Sequence, residues 1–261
     1  MTVLEKIITV KRREIAELKK NGLDAVRSKF AGVVRGERRS LKKALAQTAS
    51  APNIIAEIKK ASPSAGLLRD DFDPAALAKD YQQGGAAAIS VVTDNPFFQG
   101  SLDWLALVRP LVDLPILRKE FIVDPIQIEE SRIAGADAIL LIASVLSEAE
   151  LKEFQALATE LDLECLVEVR DLEDAGKVCA AGAPLVGINN RDLGDFSIDL
   201  NTSINLLKDL PETSLIVSES GIENSADIKK LQSAGINAFL IGTSLVKAGK
   251  NRQKLLEELM S

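Results

Sequence analysis

The sequence predicts an α/β protein, a (β/α)8 TIM barrel with an N-terminal helical extension, on three observations. Four segments, "QQGGAAAISVVTD", "RIAGADAILLIAS", "CAAGAPLVGINNRD" and "QSAGINAFLIGTS", repeat one pattern: a helix end, Gly, a small residue, an apolar run, then polar residues. Glycine in that place is the usual left-handed helix terminator, and the apolar run reads as a strand buried on both faces. With the less regular cases added, eight candidate strands begin near Asn53, Ala87, Pro115, Ala138, Glu164, Leu185, Leu215 and Ala238, at intervals of about 20 to about 35 residues, as βα units require. Finally, 46% of the 261 residues are hydrophobic and only 4% aromatic, so the core must be Ile, Leu, Val and Ala, as suits helices on a parallel sheet. An open doubly wound sheet is the rival. It calls for a G-x-G-x-x-G turn after its first strand, and none is present.

The elements follow in order. Residues 1–48 are expected to be helices packed on the barrel, with the barrel itself over 49–261. Leu4, Ile7, Ile8, Ile15 and Leu18 form an apolar stripe at helical spacing, and "KRREIAELKK" reads as a solvated, mixed-charge face. Between strands, Asp73-Pro74 and Asp124-Pro125 each read as an N-cap followed by an N1 proline. Ser147 with Glu150 reads as a capping box, and "ELKEFQALATEL" supplies the amphipathic helix behind it. The chain ends soon after the last strand and its helix, so no fused second enzyme is expected. The N-terminus is too charged for a signal peptide, and runs such as "AILLIASVL" are too short to span a bilayer, so the expectation is a cytoplasmic protein without a membrane partner.

Composition also excludes chemistry. There is no histidine, which removes Ser-His and Cys-His nucleophilic catalysis and histidine metal sites. Proton transfer falls to Lys, Glu, Asp, Tyr or Cys. Cys165 and Cys179 both sit among apolar residues and read as buried, inert thiols rather than metal ligands or a disulfide. A net charge of −6 argues against a nucleic-acid partner, because no basic excess meets a phosphate backbone.

In a (β/α)8 barrel the strand C-termini and the loops beyond them carry the site. Several strands here end in polar residues. The first, "IIAEIKK", ends in Glu57 and Lys59; "PILRKEF" ends in Lys119; "CLVEVRD" carries Glu168; "LVGINNRD" ends in Asn189 and Arg191; "LIVSESG" ends in Glu219 and Ser220. Glu57 and Lys59 are two apart and share a face, whereas Lys60 has the opposite parity and is expected outside. A lone charge at a strand end is ordinarily a solvated rim residue. Convergence from several strands argues instead for a shared active site. After the last two strands, Ser220-Gly221 and Gly242-Thr243-Ser244 place glycines beside hydroxyls, where barrels often bind phosphate through backbone N–H groups. The loop "TDNPFFQGSLDWL" places Phe97 and Phe98 near the same mouth, either as core or as an apolar wall for a ring-bearing substrate. The residues thus describe a substrate with a phosphate, a second anion and an apolar part, handled by Lys and Glu.

The motifs "IIAEIKKASPS", "ISVVTDNPFFQGSL", "LPILRKEFIVDPIQI", "AGADAILLIAS", "LVEVRD", "GINNRDL", "VSESGI" and "FLIGTSL" resemble the indole-3-glycerol-phosphate synthase family, in order and over nearly the whole chain. The resemblance implies an enzyme of tryptophan biosynthesis that converts 1-(2-carboxyphenylamino)-1-deoxyribulose 5-phosphate to indole-3-glycerol phosphate, with no cofactor or metal. It implies Lys119 as general acid and Glu168 as general base, with Lys59 pairing substrate anions, the phosphate included. Glu57 and Glu219 would tune the lysines, Asn189 and Arg191 would position the intermediate, and Ser62 and Ser220 would make polar contacts. Phe98, Phe121 and Leu140 would line the anthranilate pocket, and Gly221, Gly242 and Thr243 would hold the phosphate. Departures are Glu120 where many relatives carry Asp, Ala65 where Lys is common, and Arg170 where others carry His or Asn; none occupies a proposed catalytic position. The expected partner is a small phosphorylated molecule and the expected assembly a monomer. Two alternatives stand beside this reading: another phosphate-binding barrel with Lys119 as a Schiff-base nucleophile, and a non-catalytic scaffold barrel.

Overall fold

A computed structural model describes residues 2–34, 36–46, 51–192 and 196–261. Eight parallel strands close into a barrel: β1 (Asn53–Ile58), β2 (Ala88–Val92), β3 (Ile116–Lys119), β4 (Ala138–Ile142), β5 (Glu164–Val169), β6 (Leu185–Asn189), β7 (Leu215–Glu219) and β8 (Ala238–Ile241). Each strand pairs with its sequence neighbours, and β1 closes against β8 in the register Asn53–Ala238 through Ala56–Ile241. This is the eight-stranded α/β barrel read from the sequence. A short antiparallel pair, Ala61–Ser62 with Gly66–Leu67, decorates the loop after β1.

Three helices precede the barrel: α1 (Val3–Asn21), α2 (Leu23–Lys29) and α3 (Leu41–Leu45). The boundary expected at residues 48 and 49 lies partly outside the described residues. α1 starts in a capping box between Thr2 and Glu5, and Lys19 Nζ pairs with Asp124 Oδ2 at 2.5 Å. The crossover helices are α4 (Pro74–Gln83), α5 (Asp103–Val108), α6 (Pro125–Ala134), α7 (Glu148–Glu160), α8 (Leu172–Ala181), α9 (Asn201–Leu206) and α10 (Ser225–Ser233), with α11 (Thr243–Lys247) and α12 (Arg252–Met260) after β8. Their starts carry the caps read from the sequence. Asp73 accepts from the N–H groups of Ala75 and Ala76, Asp124 from that of Ile126, and Ser147 forms a capping box with Glu150. Gly135 and Gly182 end α6 and α8 at φ 98° and 65°, a conformation that a Cβ disfavours.

Strand alternation divides the core in two. Outward residues such as Ile54, Ile89, Ile139, Val167 and Phe239 pack under the helices. Inward residues, among them Ile55, Leu117, Leu140, Leu166, Val217 and Leu240, fill the barrel. Leu41 and Leu45 of α3 join this inner cluster and close the strands' N-terminal end. Ser40 and Lys42 fix α3 there: Ser40 Oγ donates to Glu164 Oε1 (2.7 Å) and the Lys42 N–H to Glu164 Oε2 (2.9 Å), at the start of β5.

Two expectations are corrected. Cys165 is buried, its thiol pushed up to about 12 by burial, but Cys179 is exposed. On α8 the residue before it, Val178, takes the core-facing position, and one step turns Cys179 about 100° away toward solvent. The charged stretch of α1 is not a wholly solvated face either: Lys11 is 4% exposed, because its face meets carboxylates of the barrel.

Candidate active site

The inward parity that fills the barrel with aliphatics continues upward into charge. Ile55 is followed on the same face by Glu57 and then Lys59; Leu117 by Lys119; Leu166 by Glu168; Val217 by Glu219. The barrel interior is therefore oil at the bottom and a lysine–glutamate cage at the C-terminal mouth. Above it opens a cavity of about 180 Å³.

Lys119 sits at the centre of the cage. Its Nζ donates to Glu219 Oε2 at 2.5 Å and to Glu168 Oε2 at 3.0 Å. Its side chain remains 18% exposed, whereas that of Glu219 is 1% exposed, so the ammonium faces the cavity with carboxylates behind it. Burial alone would lower the Lys119 pKa, but Glu219, Glu168 and Glu57 reverse that and drive it up. The amine is held as a cation at neutral pH.

The glutamates differ from one another. Burial raises Glu219, Lys119 opposes, and Glu168 adds like-charge repulsion; the carboxyl is pushed up to about 7. Its Oε1 has no hydrogen-bond partner among the described residues. Burial would raise Glu57 too, but Lys59 and Lys119 outweigh it and hold the carboxyl below its usual value. Lys59 Nζ lies 2.6 Å from Glu57 Oε1. Glu168 Oε1 accepts from Asn189 Nδ2 at 3.1 Å, which leaves its other oxygen on Lys119. One cavity thus presents an acid with two adjacent carboxylates and a second lysine–glutamate pair.

The remaining residues singled out from the sequence surround the same cavity. Phe98, Phe121 and Leu140 form an apolar side, with the two rings 6.0 Å apart. Phe97 is half-buried outside it. Ser62, Arg191 and Ser220 sit on the rim. Arg191 is anchored by its own N–H donating to Asn189 Oδ1 (3.0 Å), and its guanidinium reaches the Phe196 carbonyl (3.3 Å). Gly221 at φ 79°, Gly242 and Thr243 line the far side, where α11 begins. The first N–H groups of a helix have no carbonyl within it and favour an anion.

Several contributors were missed. α1 supplies Val3, Leu4 and Ile7 to the wall, and the loop after β6 supplies Phe196 and Ile198. Asn190 is buried behind the site: its Nδ2 donates to Ser218 Oγ (2.9 Å) and to the Ser220 carbonyl (3.1 Å), and so holds Ser220 at its φ of 68°. Gly187 is a further case. A Cβ there would lie 2.1 Å from Glu219 Oε1, so the strand leaves the volume of one carboxylate open. Gly242 does the same for Glu57, whose Oε1 would be 2.4 Å from a Cβ. The signal for Gly187 was a glycine inside a strand, which weakens the strand and often marks close approach.

Fold and site define an eight-stranded α/β barrel of the enzyme class, with lysines and glutamates gathered around a cavity at the strand C-termini. A family model described as indole-3-glycerol phosphate synthase matches residues 4–259, and the chain belongs to that family. The Desulfotalea psychrophila protein of that name is 45% identical over 98% of this chain and 97% of its own length. The Rhodopirellula baltica protein of that name is 55% identical over 74% of this chain and 75% of its own. Among solved structures, thiamine phosphate pyrophosphorylase from Pyrococcus furiosus superposes with a TM-score of 0.58 at 16% identity, covering 79% of this chain and 93% of that one, a likeness of fold alone.

Proposed function

We propose that this chain is an indole-3-glycerol phosphate synthase that closes, decarboxylates and dehydrates 1-(2-carboxyphenylamino)-1-deoxyribulose 5-phosphate in tryptophan biosynthesis. The observation that carries the residue roles is the position of Lys119: a cation facing the cavity, backed by Glu168 and Glu219. In the first step the ring carbon that bears the carboxylate attacks the ketone carbon. The ketone oxygen gathers negative charge and takes a proton from the Lys119 ammonium, becoming a hydroxyl. Loss of CO₂ returns an electron pair to the ring and restores aromaticity. Glu168 then removes the proton from the ring methylene beside nitrogen, while the hydroxyl leaves as water with a proton from a lysine of the cage. One CO₂ and one water leave, and the indole remains.

Each role has a physical support. Asn189 holds one oxygen of Glu168 and so aims the base. Glu219, pushed up to about 7, is a proton store 2.5 Å from Lys119 that can restore its charge. Lys59 and Arg191 supply positive charge for the substrate anions, and Ser62 and Ser220 polar contacts at the rim. The benzene ring fits against Phe98, Phe121 and Leu140, and the phosphate against Gly221, Gly242 and Thr243, with Lys59 nearby. The reading includes a monomer acting in the cytoplasm on a small molecule, without nucleic acid; no helix of the described residues is long and apolar enough to cross a membrane.

The upward shift of Lys119 favours acid over Schiff-base chemistry, since a protonated amine is no nucleophile. Incubation with the carboxyphenylamino substrate should generate indole fluorescence, and its absence at micromolar enzyme would overturn the reading. Lys119→Ala should lose about 10²- to 10⁴-fold in turnover while largely sparing binding. Trapping of a substrate adduct on Lys119 by borohydride would favour the Schiff-base alternative instead.

A further inference from the structure

Lys11 lies on α1, outside the barrel, and is 4% exposed. Its Nζ is 2.7 Å from Glu14 Oε2, 3.0 Å from Glu120 Oε1 and 3.2 Å from Asp94 Oδ2. The contact with Glu14 is a hydrogen bond, and those with Glu120 and Asp94 are close ion pairs, so the ammonium faces three carboxylates. Burial alone would lower the Lys11 pKa; Glu120, Glu14 and Asp94 reverse it, and the net direction is up.

The two barrel carboxylates are not placed at random. Asp94 directly follows Thr93 at the end of β2, and its Oδ1 accepts the N–H of Phe97 (2.9 Å), fixing the turn that carries Phe98. Glu120 follows Lys119 with the opposite parity and so points out of the barrel toward α1. Its Oε1 accepts the N–H of Phe121 (2.8 Å), and its Oε2 accepts from Thr93 Oγ1 (2.8 Å). Phe98 and Phe121 are the two rings of the cavity's apolar side. One turn before Lys11 on the same helix face, Ile7 lines that cavity, with Leu4 and Val3 beyond it. One amino group therefore joins three separate wall pieces: the loop of Phe98, the strand end of Phe121, and α1.

We propose that Lys11 is a positioning residue that assembles the apolar wall of the cavity, so that the N-terminal helix takes part in seating the aromatic part of the substrate. The inference rests on the functional reading above. Without the cation, Glu120 and Asp94 remain buried, and among the described residues the remaining ion pair to either is the long one from Arg118 Nη2 to Glu120, 3.8 Å. Two carboxylates left so close repel each other and draw water, and the loops they fix part from α1. Lys119 lies on the inner face of β3 and its glutamates Glu168 and Glu219 on β5 and β7, and Lys11 pairs with Glu14, Asp94 and Glu120 instead, so binding should suffer more than chemistry.

The test is steady-state kinetics on the full chain. Lys11→Met keeps the length and removes the charge; KM should rise about tenfold or more while kcat changes less than about threefold. Lys19→Met, on the same helix as Lys11, cuts an exposed ion pair with Asp124 at the start of α6 and should leave KM within about twofold. A Lys11→Met enzyme that melts at lower temperature with unchanged KM would reduce Lys11 to a stability role and overturn the proposal, as would equal KM rises in both variants. If Lys11→Met does not fold, Lys11→Arg carries the test, because a flat guanidinium cannot point at three carboxylates as an ammonium does. An intermediate KM rise is then expected, and an unchanged KM overturns the proposal. Wild-type turnover reports separately on the functional reading. If wild type makes no indole, the Kd of a substrate analogue with its ketone reduced to an alcohol, read by its own fluorescence, compares the variants in place of KM.

Discussion

At Gly187 the geometry leaves no room for a side chain. Glycine inside a strand gives up packing and backbone rigidity, yet a methyl group here would overlap Glu219 Oε1, 2.1 Å away. Glu219 is buried and cannot swing into solvent, so Gly187→Ala must shift the carboxylate, the lysine it holds, or the strand. Overpacking of this kind costs about 1–3 kcal/mol. The expected outcome is that stability loss in urea melts together with a fall in kcat of about tenfold or more, since a small misplacement of a catalytic group is amplified in rate. A Gly187→Ala enzyme with normal kcat would show that Glu219 does not need its present place. The glycine was visible in "LVGINN" but its reason was not, because the atom it accommodates arrives from the next strand. Lys11 is the same case. A charged residue on a short-range pattern reads as solvated, and only its distant partners Asp94 and Glu120 make it a buried one.

At the scale of elements, helix starts were legible because caps are local. An Asp before Pro, or a Ser three residues before a Glu, satisfies N–H groups within one turn, and each such signal sits where a helix begins. α3 shows the opposite. It has five residues, too few for a periodic pattern, yet Leu41 and Leu45 close the bottom of the barrel's interior. Leu41 is fully buried. Leu41→Ala should destabilise the fold by about 2–5 kcal/mol, with KM little changed because the plug lies at the end opposite the cavity. Calorimetry with kinetics at low temperature checks this; a large KM change with unaltered Tm would contradict the plug. The same helix explains why Glu164, at the beginning of β5, is a carboxylate: it receives Ser40 Oγ and the Lys42 N–H.

For the molecule as a whole, the buried cage makes stability depend on pH. Glu219 is pushed from an ordinary 4.5 to about 7, so the folded protein keeps a proton that the unfolded chain releases across that window. The stability this group contributes is fully present below about 4.5 and is lost as pH rises through about 7. Asp174, pushed up to about 6 mainly by burial, acts in the same direction. The free energy of unfolding attributable to Glu219 should therefore fall by up to about 3 kcal/mol between those limits, and Glu219→Gln should flatten that part of the curve while leaving the Asp174 share. Urea titrations at several pH values read it directly, and parallel curves for variant and wild type would place the Glu219 pKa near its ordinary value.

The sequence by itself determined the order of strands and helices and the parity that turns Glu57, Lys59, Lys119, Glu168 and Glu219 into the mouth. Both follow from interactions within a few residues, namely the apolar runs, the caps and the two-residue alternation of a strand. Only the tertiary structure decided which charges meet. Lys119 lies 49 residues from Glu168 and 100 from Glu219, and Lys11 is joined to Glu120 from outside the barrel. Those pairings depend on how the barrel closes and on where α1 lies across it, which no local pattern records. At the end of β1 both levels act: Glu57 pairs with Lys59 two residues along its own strand, and closure brings the charge of Lys119 beside it.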